Sequence, residues 1–271
     1  MEYLKNAIDK AKLKREGEIG KSNTFEQSLE KKDNISNKGN AQFKAHSFDY
    51  NKTQKKILDP HHLSKSKVIA ADLKDKRAEV YRQLRSQILP IMHNNKFRTL
   101  AITSPHDSAG KTLTAINLAI SISQEVNQTV MLVDLNFRKP SVHTTLGFNV
   151  DKGLYEHLIS DVSLESILIN PSLQRLVIIP NIPQENYSSE LLTSPKMKDF
   201  MLEIVSRYKD RLIIFDLPSI LDDDDAIIFT PTVDACLFVT EDHVTKSSEI
   251  KKCIQLLSDT NVIGSVLNKK V

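Results

Sequence analysis

The stretch Leu100 to Ala119, LAITSPHDSAGKTLTAINLA, constrains the fold of this chain more than any other. Its apolar run Leu100-Ala101-Ile102-Thr103 reads as a strand and breaks into a polar turn before Gly110-Lys111-Thr112, after which apolar residues resume at helical density. A strand, a tight loop and a helix in that order aim successive backbone N–H groups and a helix N-terminus at one spot, which suits phosphate oxygens. Lys111 then reaches the terminal phosphates and Thr112 offers its hydroxyl to Mg²⁺. The pattern G-x-x-x-x-G-K-[ST] is incomplete, because Pro105 stands where its first glycine belongs. A chance Gly-Lys-Thr in a surface loop is the competing reading, and the rest of the chain decides between the two.

Further along, Thr129 to Asp134 (TVMLVD), Arg175 to Pro180 (RLVIIP) and Arg211 to Asp216 (RLIIFD) are continuous apolar runs. Such runs are expected of parallel strands buried on both faces. Ser194-Pro195 opens a helix with a cap and a proline at its first position, and Met197, Phe200, Met201, Ile204, Val205 and Tyr208 follow at helical spacing. A strand over Ala235 to Thr240, a helix over Thr245 to Leu257 with Ile250, Cys253, Ile254 and Leu257 inward, and a strand over Val262 to Leu267 complete the order. Alternating strands and helices predict a doubly wound, mostly parallel α/β sheet with helices on both faces.

Ligands of such sheets sit at the carboxyl ends of the strands. The loop after Leu100–Thr103, Asp134 and Asp216 therefore converge on one rim, with a lysine, a hydroxyl and two carboxylates. Magnesium-bound nucleoside triphosphate needs that set, since Mg²⁺ is a hard cation that takes oxygen ligands. Each aspartate alone is an ordinary cap or turn residue; together, at the ends of buried strands, they favour a P-loop nucleotide site over the accidental loop.

With 271 residues and 40% hydrophobic content the chain can bury a large core, and a net charge of +3 gives no reason to expect a nucleic-acid partner. Cys236 and Cys253 are far apart, lack metal-ligand spacing and read as core residues of a reduced, cytoplasmic protein. No apolar run approaches the roughly 18 to 20 residues that span a bilayer.

Residues 1–15 read as a short basic amphipathic helix, with Leu4, Ile8 and Ala11 on one side; it either docks on a partner or anionic lipid, or is a solvated, frayed helix. Residues 16–69 are rich in lysine, asparagine and serine and are expected to be a disordered linker, leaving 70–271 as the folded domain. That domain should open with a helix over Lys76 to Leu89, ended by Pro90, with Val80, Leu84 and Ile88 inward. Glu79, Arg82 and Arg85 flank that stripe, either as a plain solvated row or as groups that pair with a neighbouring subunit.

The order EVYRQLRSQI, TLAITSPHDSAGKTLTAINLA, VMLVDLNFRKPSVH, SSELLTSPKM, RLIIFDLPS, DACLFVT and VIGSVLN, from Glu79 to Asn268, resembles the bacterial tyrosine autokinases of capsule and exopolysaccharide synthesis. The N-terminal MEYLKNAIDKAKLKR is similar to the leader of their stand-alone members. The resemblance implies ATP and Mg²⁺ as cofactors, a nucleotide loop of Ser108, Ala109, Gly110, Lys111, Thr112 and Leu113, and Asn268 at the adenine edge. It implies catalytic roles at Lys111, Asp134 and position 136, metal ligands at Thr112, Asp134 and Asp216, and ring-like self-association through Glu79, Arg82 and Arg85. It further implies activation by a membrane-embedded polysaccharide chain-length regulator, at the inner face of the cytoplasmic membrane. Association with that surface would run through the partner or the N-terminal helix.

Three positions depart from the family pattern. Ser108 replaces a glycine, Asn136 replaces the second acid of an Asp-x-Asp pair, and no tyrosine follows Tyr208 where a tyrosine-rich acceptor tail is expected. A left-handed serine costs on the order of 1 to 2 kcal/mol, and an asparagine cannot accept a proton. Tyr50 is then either a substitute acceptor or an exposed aromatic. These departures set an active kinase against a nucleotide-gated scaffold or ATPase of the same machinery. A partitioning or septum-site ATPase is disfavoured, because its signature lysine would fall at His106. Asp222 to Asp225 read as acids at a helix N-terminus rather than as a metal site. Arg138 and Lys139 read equally as phosphate or partner contacts and as a solvated face.

Overall fold

The continuous apolar runs form strands because each has a hydrophobic layer to meet on both sides. The structure, a computed structural model, describes residues 53–184, 188–207 and 210–270. The expected helix over 1–15, the linker up to residue 52 with Tyr50, and Tyr208 lie outside the described residues. Among the described residues eight strands form one sheet in the order β1-β4-β5-β3-β6-β2-β7-β8: β1 (Gln54–Lys55), β2 (Thr99–Thr103), β3 (Thr129–Asp134), β4 (Ile169–Asn170), β5 (Leu176–Ile179), β6 (Arg211–Asp216), β7 (Ala235–Glu241) and β8 (Val262–Asn268). Every pairing is parallel except the short β4–β5 contact.

Side chains alternate between two cores, as the strand period of two demands. Leu100, Ile102, Val130, Leu132, Leu212 and Ile214 join one core. This layer contains α1 (Pro60–Lys65), α2 (Glu79–Asn94), α3 (Lys111–Ser123) and α4 (Val142–Leu146). Ala101, Met131, Val133, Ile213 and Phe215 join the other. On that side pack α5 (Leu154–Ile159), α6 (Leu164–Ile167), α7 (Ser188–Thr193), α8 (Pro195–Arg207), α9 (Asp225–Phe229) and α10 (Ser247–Leu256). The doubly wound expectation holds, and Cys236 and Cys253 are free and buried.

Several local expectations change. Order begins before residue 70: β1 pairs with β4, and Leu63 and Val68 enter the core at 7% and 2% exposure, so residues 53–69 belong to the folded unit and not to the linker. Polar composition hid this, because few apolar anchors suffice when a sheet edge supplies the hydrogen bonds. Pro90 does not end its helix; it lies inside α2 with its ring exposed. Ile88 and Met92, one turn apart on either side of it, are buried at 3% and 1% and hold the helix together across the missing N–H. The helix ends at Asn94, and just beyond it Lys96, with a left-handed φ of 58°, lets the Phe97 N–H return to the Met92 carbonyl at 2.8 Å. Val80, expected inward, is exposed, and on α10 so is Ile254, because only Cys253, Leu257 and part of Ile250 reach the sheet. The Ser194 cap is present, with its hydroxyl accepting the Met197 N–H at 3.1 Å.

Candidate active site

β2 lies between β6 and β7, and β6 lies between β2 and β3. This order brings the loop after β2 beside the ends of β6 and β3. Gly110, at φ 96°, caps α3 in the left-handed region, so the helix begins at Lys111 and Thr112 falls in its first turn. The Thr112 hydroxyl donates to Asp216 Oδ2 at 2.6 Å, and the Ser141 hydroxyl donates to Thr112 Oγ1 at 3.2 Å. Asp134 stands beside Asp216 in register and accepts N–H bonds from Asn136 at 3.2 Å and from Ser141 and Val142 at 3.0 Å each. Lys111, Thr112, Asp134 and Asp216 thus meet at one rim.

Burial pushes the carboxyls of both aspartates up, Asp216 to about 6, and at Asp134 the neighbouring Asp216 charge adds to the rise. Asp216 Oδ1 is buried with no hydrogen-bond partner among the described residues. Two crowded carboxylates, an orphaned oxygen and a hydroxyl make a hard-oxygen donor set that fits Mg²⁺.

Asn268, at the end of β8, donates from Nδ2 to the Ala109 carbonyl at 2.9 Å, so the strand order brings this residue to the loop as well. Ser108 has φ 65°, a left-handed conformation that glycine adopts without strain and serine does not. The side chains of Ala109 and Leu113 pack into the core, which leaves only their backbone groups for a ligand. The Asn136 carboxamide oxygen accepts the Lys139 N–H at 3.0 Å, so this side chain shapes the turn after β3.

A second layer of polar residues surrounds the loop, with Asp107, Ser219 and Glu249 joining His106, Lys139 and Asp222. Asp107 binds the Lys111 and Lys139 ammonium groups and the Ser219 hydroxyl, and His106 lies between Asp222 and Glu249. A polar loop residue carries no periodic signal, so only the lysine spacing hinted at these contacts. Arg138 pairs with Asp223 at 3.2 Å. The acidic run lies at the start of α9: Asp224 stands at the cap position without a side-chain cap bond, Asp225 sits in the first turn and accepts the Ser189 hydroxyl with its Oδ1, and Asp222 accepts the Asp107 N–H, while one carboxyl oxygen from each of Asp223, Asp224 and Asp225 lies within 4.8 Å of the others. A cavity of about 140 Å³ opens between Asp107, Asn136, Arg138, Lys139 and Ser219. Larger cavities of about 340 and 470 Å³ lie elsewhere, and neither touches Lys111, Asp134 or Asp216.

Glu79, Arg82 and Arg85 do not act alike. Arg82 and Glu79 form an exposed (i, i+3) pair at 2.7 Å, whereas Arg85 turns toward α3, bonding the Ser121 carbonyl at 2.6 Å and Glu125 at 3.0 Å.

Sheet order, loop and strand-end aspartates define a P-loop nucleotide-binding protein of the doubly wound class. No family model matches the sequence. The chain is 31% identical over 198 residues to tyrosine-protein kinase CpsD of Streptococcus pneumoniae, covering 72% of this chain and 85% of that protein. It is 28% identical over 197 residues to succinoglycan biosynthesis transport protein ExoP of Rhizobium meliloti, covering 71% of this chain and 25% of that longer protein. The kinase domain of the Escherichia coli tyrosine kinase ETK superposes with a TM-score of 0.66 at 25% identity, over 73% of this chain and 78% of that one. The chain belongs to the bacterial tyrosine-protein kinase family, a family of transferases. Among the described residues no helix is long and apolar enough to cross a membrane.

Proposed function

We propose that this chain is an ATP-dependent protein-tyrosine kinase of the autokinase type that regulates exopolysaccharide or capsule polymerisation and export. The convergence of Lys111, Thr112, Asp134 and Asp216 at one strand rim carries the reading, because phosphoryl transfer depends on positioning and charge neutralisation at such a rim. In this reading the loop amides from Ser108 to Leu113 and the α3 N-terminus cradle the phosphates, Lys111 neutralises charge on the terminal group, and Asn268 borders the adenine. Thr112, Asp134 and Asp216 would hold Mg²⁺, which supplies Lewis-acid charge to the phosphate oxygens when bound. The similarity to a polysaccharide transport protein supports a membrane chain-length regulator as activator and a location at the inner face of the cytoplasmic membrane. Glu79 and Arg82 on α2, joined to each other by a solvent-facing pair at 2.7 Å, would exchange that pair for one with a neighbouring copy in a ring.

Asn136 favours a second reading, a nucleotide-gated scaffold or ATPase. An amide cannot take the proton of an incoming tyrosine, and loss of that assistance removes roughly 10² to 10⁴ in rate. The full chain, incubated with MgATP and its membrane activator, is expected to label tyrosine on itself or the partner, and Lys111→Ala to abolish the label. ATP binding without phosphotyrosine would refute the kinase reading. A large gain in Asn136→Asp marks a weakened kinase, and no label in either protein leaves the scaffold.

A further inference from the structure

The loop that should receive phosphate already holds an anion of its own. Asp107 lies four residues before Lys111. Its Oδ1 accepts from the Lys111 ammonium at 3.2 Å and its Oδ2 from the Lys139 ammonium at 2.8 Å. One carboxylate therefore bridges both lysines at the mouth of the loop and offsets part of their charge. Lys111 is nearly enclosed, with 8% of its side chain exposed, so its charge has little water to fall back on. The carboxylate is itself held in place. The Ser219 hydroxyl donates to Oδ1 at 3.0 Å, and the Asp107 N–H donates to Asp222 Oδ2 at 3.0 Å, which pins the backbone that carries it. Hydrogen bonding from Lys139, with the Lys111 charge beside it, lowers the Asp107 carboxyl to about 2, so it remains an anion throughout the physiological range.

We propose that Asp107 is an internal competitor for the nucleotide's phosphates, a carboxylate that occupies Lys111 and Lys139 and must release them before a triphosphate can bind. The inference rests on the nucleotide reading of this loop and extends it to how tightly, and with what preference, the loop is filled. Two oxygens of a carboxylate present to two ammonium groups much of what two phosphate oxygens would present. A phosphate that approaches Lys111 while Asp107 remains in place meets a like charge within a few ångströms, which is repulsive in a partly enclosed site. Occupancy of the loop therefore exchanges one set of ion pairs for another, and the net gain is smaller than an unopposed lysine would give. The opposition grows with the charge of the ligand, so it falls more heavily on a triphosphate than on a diphosphate and spares an uncharged nucleoside.

Asp107→Asn tests this, because the carboxamide keeps the size of the side chain and an oxygen for Ser219 while removing the charge. Affinities of wild type and variant for MgATP, MgADP and adenosine are measured by isothermal titration calorimetry, alongside thermal unfolding of the ligand-free proteins. The variant is expected to bind MgATP roughly 3- to 10-fold more tightly, the scale of two partly exposed ion pairs no longer to be broken. The gain should be smaller for MgADP and absent for adenosine, while the ligand-free variant melts lower because Lys111 has lost its counter-charge. The opposed signs separate competition from a purely structural role, which would lower both affinity and stability. Unchanged or weaker MgATP binding, or an equal gain for adenosine, overturns the proposal. If wild type binds no nucleotide and Lys111→Ala changes nothing, the nucleotide reading itself falls and takes this inference with it.

Discussion

Asp134 and Asp216 are register partners across the β3–β6 ladder, each the last residue of its strand and each fully buried. Two carboxylates enclosed side by side are costly without a cation. Asp216→Asn keeps an oxygen for the Thr112 hydroxyl and removes one of the charges. In buffer free of divalent cations the variant is expected to be more stable than wild type by about 1 kcal/mol at neutral pH. Added Mg²⁺ should raise the melting temperature of wild type and leave the variant unmoved. Denaturant titration with and without chelator reads both effects, and a destabilised variant would contradict the paired-acid account.

Ser108 and Gly110 both sit in the left-handed region, but only one of them has room to change. Ser108→Gly relieves the side-chain strain at φ 65°, and after the extra chain entropy of glycine is set against it, a gain of about 0.5 to 1 kcal/mol remains. Gly110→Ala runs the other way, since a Cβ there would fall 2.1 Å from Asn268 Nδ2 as well as straining a φ of 96°. That substitution should cost roughly 1 to 3 kcal/mol and displace Asn268 from the loop. Calorimetric melting of the two variants checks the pair of signs.

His106 bridges the loop to two acids, Asp222 at 3.2 Å and Glu249 at 3.4 Å. Hydrogen bonding to Asp222 is the largest cause of its raised pKa, with Glu249 adding to it against the effect of burial. A histidine whose folded pKa lies above its unfolded value of about 6.5 contributes stability that is full below that value and is lost as pH rises through the folded one. With 42% of the side chain exposed, solvent screens much of this. The ligand-free protein should melt about 1 to 2 °C lower once the histidine has lost its proton, and His106→Gln should flatten that difference. Melting curves across pH 5.5 to 8.5 decide it.

Arg85 serves this chain's own packing, in contrast to Arg82. Arg85→Ala removes the link from α2 to the Ser121 carbonyl and Glu125 and should destabilise the monomer by about 1 to 2 kcal/mol. Replacing Glu79 and Arg82 together should leave the melting temperature within a degree or so, because their pair is exposed. Light scattering then tests the ring cleanly in the double variant, and an unchanged mass there would remove these residues from any interface.

The sequence alone determined that a parallel sheet forms and where its rim lies. Runs such as TVMLVD and RLIIFD are apolar at every position, so each must be covered on both faces, and an aspartate at the end of each marks the side where ligands gather. Gly110-Lys111-Thr112 was legible for the same local reason, since loop and helix start are neighbours in the chain. Tertiary structure alone decided the rest. Pro90 is carried through its helix by the burial of Ile88 and Met92, and residues 53–69 are ordered by a sheet edge contributed from residues 169–170. Asp107 meets Ser219 and Lys139, and His106 meets Asp222 and Glu249, across separations no periodicity encodes. A burial pattern is written within a few residues of itself, whereas the partner of a charged side chain is set by which strand ends the completed sheet brings together.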